Sequence, residues 1–243
     1  MGQLMILIFQ IFLRNKRWIN IKKSNNNYYF SVEGETEKWY LEHLKKLINN
    51  DESIPYTVTW EPKVSRRITK VAKNISAPYK VRAYHLCDYE GNESYQKKEF
   101  ENILRELKEV KKINRNVNYK LGYSNYTFEL WIILHKARKM NSFSNKKSYL
   151  KDINILYEEK FQSLDEYKQE DNFKRVLSKI TLEDVKFAIE NGKIIRNKNL
   201  EEKKKIISGK FEYFEENPDL TIHSCIEEIF KDCKIIWKIY FEI

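Results

Sequence analysis

The chain has 243 residues, 42% hydrophobic and 33% charged, which describes a soluble globular protein and excludes a disordered one. That length suits one sizeable domain, alone or with a helical extension. The 45 lysines and arginines exceed the 35 acids by a formal charge of +10, which favours a polyanionic partner such as nucleic acid.

The apolar run from Leu4 to Leu13 is too short to span a bilayer. It has no basic residues before it and no small-residue cleavage site after it, so it does not read as a signal peptide. A packed first element and an upstream start codon both remain open for it. Arg14, Lys16, Arg17, Lys22 and Lys23 follow as a basic arm, residues 1–24. The three cysteines have no metal-ligand spacing and the four histidines do not cluster, which argues against zinc and fits free thiols in a reducing, cytoplasmic compartment.

Residues 25–140 alternate strand and helix. Tyr28 to Val32 is a β-prone run that breaks into Glu33-Gly34, and Lys38 to Ile48 carries apolar residues at helical spacing. Tyr56 to Trp60 predicts a second strand, Lys63 to Ser76 a helix with a basic face, and Val81 to Cys87 a third strand ending at Asp88. Ser94 to Lys112 predicts an amphipathic helix, Val117 to Tyr123 a fourth strand and Tyr126 to Ala137 a mostly apolar helix. This alternation implies right-handed crossovers and a mainly parallel four-stranded sheet flanked by helices, in the α/β class. No glycine-rich phosphate loop is present.

Beyond a connector at Asn141 to Ser148, residues 141–243 read as a mostly helical portion packed on that domain, with helices at Phe161–Tyr167, Phe173–Ile180, Leu182–Gly192 and His223–Cys233. Asn217-Pro218 marks a turn, and Lys234 to Ile243 could be a strand or the end of a helix.

Glu33 falls at the carboxyl end of a strand, where open α/β sheets bind ligands, and Asp88 and Glu90 directly follow another. Alternation along an extended chain turns Asp88 and Glu90 to a common side, and neighbouring parallel strands would bring Glu33 beside them. Carboxylates so placed repel one another unless a cation intervenes, and their hard oxygens suit Mg²⁺ or Mn²⁺, the chemistry of phosphodiester hydrolysis. An exposed acidic turn is the plainer reading of Asp88-Glu90 alone.

This constellation resembles the TOPRIM fold, in which a glutamate after the first strand and a D-x-D pair after a later one bind magnesium. VEGETE at 32–37, SNYTFELWIILH at 124–135 and NPDLTIH at 217–223, with weaker matches at YKQEDNF (167–173) and AIENGKII (188–195), resemble the motifs of RloB-family proteins. Members of that family include the second component of the AbiL abortive-infection system. The resemblance implies a TOPRIM domain with a helical C-terminal portion, metal-dependent cleavage of RNA (possibly tRNA) or DNA as a toxic anti-phage effector, and a partner ATPase of the ABC or AAA type.

On that resemblance Glu33 is a metal ligand or general base, and Asp88 and Glu90 are metal ligands, with Glu90 standing where the family has Asp. Glu37 is either a supporting acid or a helix-start residue. Ser124 and Asn125 resemble a helix N-cap and could equally contact substrate. Glu129, on an apolar helix, is a fourth acid near the metals or half of a salt bridge. His135 is a core histidine before it is a catalyst, and Lys168 binds a phosphate or lies on a solvated face. Arg66, Arg67, Lys70 and Lys73 offer either a phosphate track or a solvated helix face. No segment reads as a major-groove recognition helix, and the sequence leaves room for a homo-oligomer. The competing function is a non-catalytic TOPRIM-like module that docks on the ATPase and senses a phage component.

Overall fold

In a computed structural model, which describes residues 23–91, 93–139 and 147–235, the central strands form where β-branched and aromatic residues concentrate. The main sheet has five strands, ordered β4 (Lys63–Val64), β2 (Tyr29–Val32), β5 (Val81–Asp88), β6 (Val117–Asn125), β9 (Asp219–Leu220). The first four run parallel and β9 pairs antiparallel with the end of β6. A separate parallel pair joins β1 (Ser24–Asn27) to β3 (Tyr56–Thr59), and β7 (Ile206–Ser208) with β8 (Phe211–Tyr213) makes a hairpin.

Alternation along β5 feeds two cores. Tyr84 and Leu86 pack with Phe30 and Val32 under α1 (Glu35–Asn50), which buries Tyr40, Leu41, Leu44 and Ile48. Ala83 and Cys87 face the other way, toward α2 (Ile68–Lys73) and the Phe100, Leu104 and Leu107 stripe of α3 (Ser94–Ile113). Both faces of the parallel sheet are thus covered, as its continuous apolar strands require. The larger core runs on through α4 (Glu129–Leu134), α5 (Lys147–Leu156), α6 (Leu164–Tyr167), α7 (Glu170–Leu177), α8 (Leu182–Glu202) and α9 (Ile222–Asp232). The described residues beyond 146 therefore join both clusters, their helices the larger one and Phe211 and Tyr213 of the β7–β8 hairpin the smaller.

Several expected elements change. The helix expected over Lys63–Ser76 is only Ile68–Lys73, because Lys63 and Val64 pair with Ser31 and Val32 as an edge strand, and Pro62 precedes them. The expected strand at Tyr56–Trp60 forms but leaves the main sheet for polar β1, whose Asn25 Oδ1 accepts from Thr57 and Thr59. The sheet gains β9 and so is not the four-stranded one expected. β6 continues two residues past Tyr123, and α4 is correspondingly shorter than the expected 126–137.

α8 does not stop at Gly192; it runs to Glu202 behind a capping box of Thr181 and Asp184. Gly192 serves a close approach instead, since a Cβ there would lie 2.6 Å from His223 Cβ on α9. The basic arm to Lys22, most of the 141–148 connector and the last eight residues lie outside the described residues. Among the described residues no helix is long and apolar enough to cross a membrane.

Gly192→Ala should destabilise the protein by roughly 1–3 kcal/mol in urea unfolding, because the added methyl overpacks against His223. A Gly192→Ala, His223→Gly double variant, which also removes the His223 Cβ, should lose less than the sum of its two single variants.

Candidate active site

Because β2, β5 and β6 run parallel, their carboxyl ends share one edge, and the chain places acids there. Glu33 follows β2; its N–H donates to Leu86 O at 3.1 Å and its Oε2 accepts from Asp88 N at 3.2 Å. The two residues, fifty-five apart in sequence, are thus in direct contact. Gly34 then turns into α1, and Glu37 folds back against it, for a Cβ at Gly34 would lie 3.0 Å from Glu37 Oε2. Glu37 is 4% exposed, and Thr36 Oγ1 donates to its Oε2 at 3.0 Å.

Glu129 opens α4 at 1% exposure. The Lys168 ammonium pairs with its Oε1 at 3.1 Å, and its Oε2 is buried without a hydrogen-bond partner. Asp88 Oδ1 is likewise buried and unpartnered.

These carboxylates act on one another. Burial, and then the charges of Glu37, Glu129 and Glu33, push the Asp88 carboxyl well above the usual carboxylate range, with Lys168 opposing. Burial is also the main cause for Glu37, which rises to about 7; the backbone and Thr36 pull it down, and Glu129 and Glu33 push it up. Burial disfavours the Lys168 ammonium, but Glu129 and Asp88 outweigh it and raise its pKa. Two phenols border the group. The Tyr167 hydroxyl is buried without a hydrogen bond, and Tyr149 accepts from Tyr126 N at 3.2 Å.

The structure therefore brings together Glu33, Asp88, Glu37 and Glu129. Glu37, left open by the sequence, is a buried acid as well as a first-turn residue. Glu90 does not follow the expected alternation: β5 ends at Asp88, Tyr89 packs edge-on against Phe100 at 4.9 Å, and Gly91 turns at φ +139°. Glu90 is exposed and is not among the acids that act most strongly on Asp88 or Glu37.

Asn125 is no helix cap; it lies in β6, its Nδ2 donates to Phe214 O and Glu215 O at 3.0 Å, and Phe128 precedes α4 without a capping hydrogen bond. Ser124 pairs with Asp88 in register, and its buried hydroxyl has no partner. His135 is a satisfied core histidine: its Nδ1 donates to Trp131 O at 2.8 Å, Tyr40 lies 3.2 Å from Nε2, and burial lowers its pKa to about 4.

Arg66 departs from the phosphate track, because its guanidinium pairs with Glu33 at 2.8 Å and Glu99 at 2.9 Å. Arg67, Lys70 and Lys73 are exposed. Lys168 is the partner of Glu129, neither free on a solvated face nor a ready phosphate ligand. Arg66, Tyr149 and Tyr167 were missed as neighbours of the acids; only Tyr167 carried a signal, beside Lys168 in YKQEDNF.

Among the described residues no group of three or more His, Cys, Asp or Glu side chains stands in a preformed metal-binding arrangement. The donor chemistry nevertheless suits a hard divalent cation, since carboxylate oxygens of Asp88 and Glu129 are buried without hydrogen bonds beside Glu33 and Glu37. The model of the RloB-like protein family matches residues 28–229. No curated protein and no solved structure matches the chain.

The raised Glu37 pKa fixes a sign for stability. A carboxyl near 7 in the folded state and near 4.5 when unfolded keeps its proton longer on folding, so its contribution is intact below about pH 4.5 and is lost as pH rises through about 7. Glu37→Gln should therefore be more stable than the parent at pH 8, by roughly 3 kcal/mol at most, and near parity at pH 4.5. Thermal melts of both proteins across that range, without divalent cations, measure it.

Proposed function

The chain belongs to the RloB-like family, and from that premise we propose that it is a Mg²⁺-dependent nuclease of TOPRIM type, the toxic effector of an anti-phage abortive-infection system that works with a partner ATPase. The observation that carries this reading is the contact between the Glu33 carboxylate and the Asp88 backbone, with Glu37 and Glu129 acting on the same aspartate. Acids this close repel one another strongly, and a fold keeps such an arrangement where a cation is to be bound.

Glu33 and Asp88 would hold the Mg²⁺ or Mn²⁺ ion, with Glu129 completing the charge behind them. Bound there, such an ion activates a water nucleophile and neutralises phosphate charge. Glu37, near 7, is poised to hold or release a proton at neutral pH, the requirement for a general acid or base. Arg66 is 61% exposed along its side chain and is pinned by acids on two elements. Were a divalent ion held at Glu33, the Arg66 guanidinium would be available to a substrate phosphate, for which its planar fork is suited. Lys168 pairs with Glu129 at 3.1 Å in its buried position. The cleaved polymer is RNA, tRNA included, or DNA.

One observation favours the second reading, a non-catalytic module docking on the ATPase. Arg66 and Lys168 already neutralise Glu33 and Glu129, and no preformed metal-binding group exists among the described residues. Calorimetric titration with Mg²⁺ and Mn²⁺ separates the two, since the module reading requires no heat of binding.

Glu33→Gln and Asp88→Asn should each lower nucleic-acid cleavage about a hundredfold or more. Far-ultraviolet circular dichroism should stay unchanged, and toxicity on expression should be lost. Sequencing of RNA and DNA ends after induction, beside the Asp88→Asn control, provides the measurement; undiminished cleavage by both variants removes the site. Millimolar Mg²⁺ should also raise the melting temperature of the parent by a few degrees at pH 8 and leave Asp88→Asn unmoved.

A further inference from the structure

β4 covers only Ser31 and Val32 of β2. The strand edge before them, at Tyr29 and Phe30, opens instead on a cleft of about 620 Å³. That volume falls within the usual range for ligand pockets, roughly 300–1,000 Å³. Its walls are apolar and aromatic, with Tyr29 half-buried, Trp60 at 3% exposure, and Val71 of α2. Its polar rim includes Ser65, Lys70 and Asn74.

The charges around it are unevenly committed. Lys63 is tied to Glu61 at 2.8 Å. Lys70, on the rim, is exposed and makes no ion pair among the described residues; Arg67 and Lys73 do not line the cleft, and Arg67 lies in a separate groove with Glu99, Glu106 and Glu109. An aromatic cleft with an uncommitted cation, Lys70, on its rim is complementary to a planar, uncharged ring joined to a negative backbone.

The cleft is also continuous with the acid site. Ser65 lines it, and Ser65 N donates to Val32 O at 2.9 Å, one residue before Glu33. The next residue, Arg66, binds the Glu33 carboxylate. A chain laid from the cleft along Ser65 and Arg66 arrives at the acids within a few residues of backbone.

From this we infer that the cleft between β2, β3 and α2 is a nucleobase pocket, which makes the substrate of the adjoining site a single-stranded nucleic acid. The inference rests on the nuclease reading for its partner, while the pocket has its own residues. A base inside a duplex is stacked and paired and cannot enter a side cleft; an unpaired base can, stacking on Tyr29 while Lys70 takes a flanking phosphate. Asn74 and Ser65 supply hydrogen-bonding groups for the base edge.

The test is fluorescence anisotropy with the full chain and labelled oligonucleotides of about a dozen nucleotides, single-stranded and duplex, RNA and DNA, in chelator so that nothing is cleaved. Two variants probe the pocket: Lys70→Ala removes the rim cation, and Asn74→Trp, at an exposed position ending α2, plugs the cleft. The parent should prefer single strands to duplex, each variant should weaken single-strand binding about tenfold, and Lys70→Ala should lower the salt slope by about one. The RNA and DNA arms assign the sugar. Equal affinity for duplex and single strands, no binding by the parent, or full affinity in both variants overturns the inference.

Hydrolysis of bis(4-nitrophenyl) phosphate with Mn²⁺, parent against Asp88→Asn, reads the nuclease proposal separately. Hydrolysis without any effect of the pocket variants sinks the pocket and spares the nuclease. Loss of binding in the pocket variants with no hydrolysis by the parent does the reverse.

Discussion

Like charge held out of water governs this molecule. Parallel pairing of β2, β5 and β6 sends their carboxyl ends to one edge, and the residues placed there converge on Asp88. Carboxylates at that spacing in a low-dielectric site cannot all ionise without a compensating cation, and proteins resolve the conflict by protonation, by internal cations or by bound metal. Here the first two are visible. Glu37 and Asp88 are pushed toward their neutral forms, while Arg66 and Lys168 come in from opposite sides of the sequence to pair with Glu33 and Glu129.

The C-terminal portion holds that edge in place. Asp219, fully buried in β9, accepts from Tyr123 and from Arg196 of α8, and Asn199 donates to it at 2.8 Å. Thr221 Oγ1 donates to Leu121 O at 2.9 Å and accepts from Tyr123 N at 3.1 Å, fastening the segment to β6 just before Ser124. His223 packs on Gly192. The N-P-D-L-T-I-H and A-I-E-N-G-K-I-I strings, which resemble family motifs, thus serve as a clamp on β6. Breaking a buried charge network of this kind leaves an uncompensated acid, which is costly, so such residues are constrained without touching any substrate.

That division explains how far the sequence could be read. Glu33 and Asp88 were legible because each ends an apolar run, and strand termini are where composition changes most abruptly. Their contact followed from the parallel order. The large helices were legible from their stripes, as with Phe100, Ile103, Leu104 and Leu107 on α3. Illegible features depend on partners distant in the chain. Lys63-Val64 becomes strand only because β2 offers an edge, and Ser24–Asn27 only because β3 does. Gly192 read as a helix stop because close packing against α9 has no local signature. Arg66 and Lys168 looked like ordinary members of basic or mixed stretches, since no local pattern marks an ion pair to a residue thirty or more positions away.

The net charge of +10 takes on a more specific meaning once these pairs are known. The basic residues nearest the acids are spent on neutralising them, so the acid edge offers little attraction to phosphate. Uncommitted cations stand instead beside it, at Arg67, Lys70 and Lys73, where long-range attraction to a polyanion can act and salt can screen it. Approach and chemistry would then be governed by separate charges. On the proposed reading, exposed Lys70 and Lys73 would draw a phosphate backbone toward the protein, while the acid edge, its carboxylates paired or pushed toward neutrality, would attract it only once a divalent cation added positive charge there. In a nuclease of the proposed kind the cation would be the condition for productive contact, and nucleic acid held by the basic segment alone would be bound without being cut.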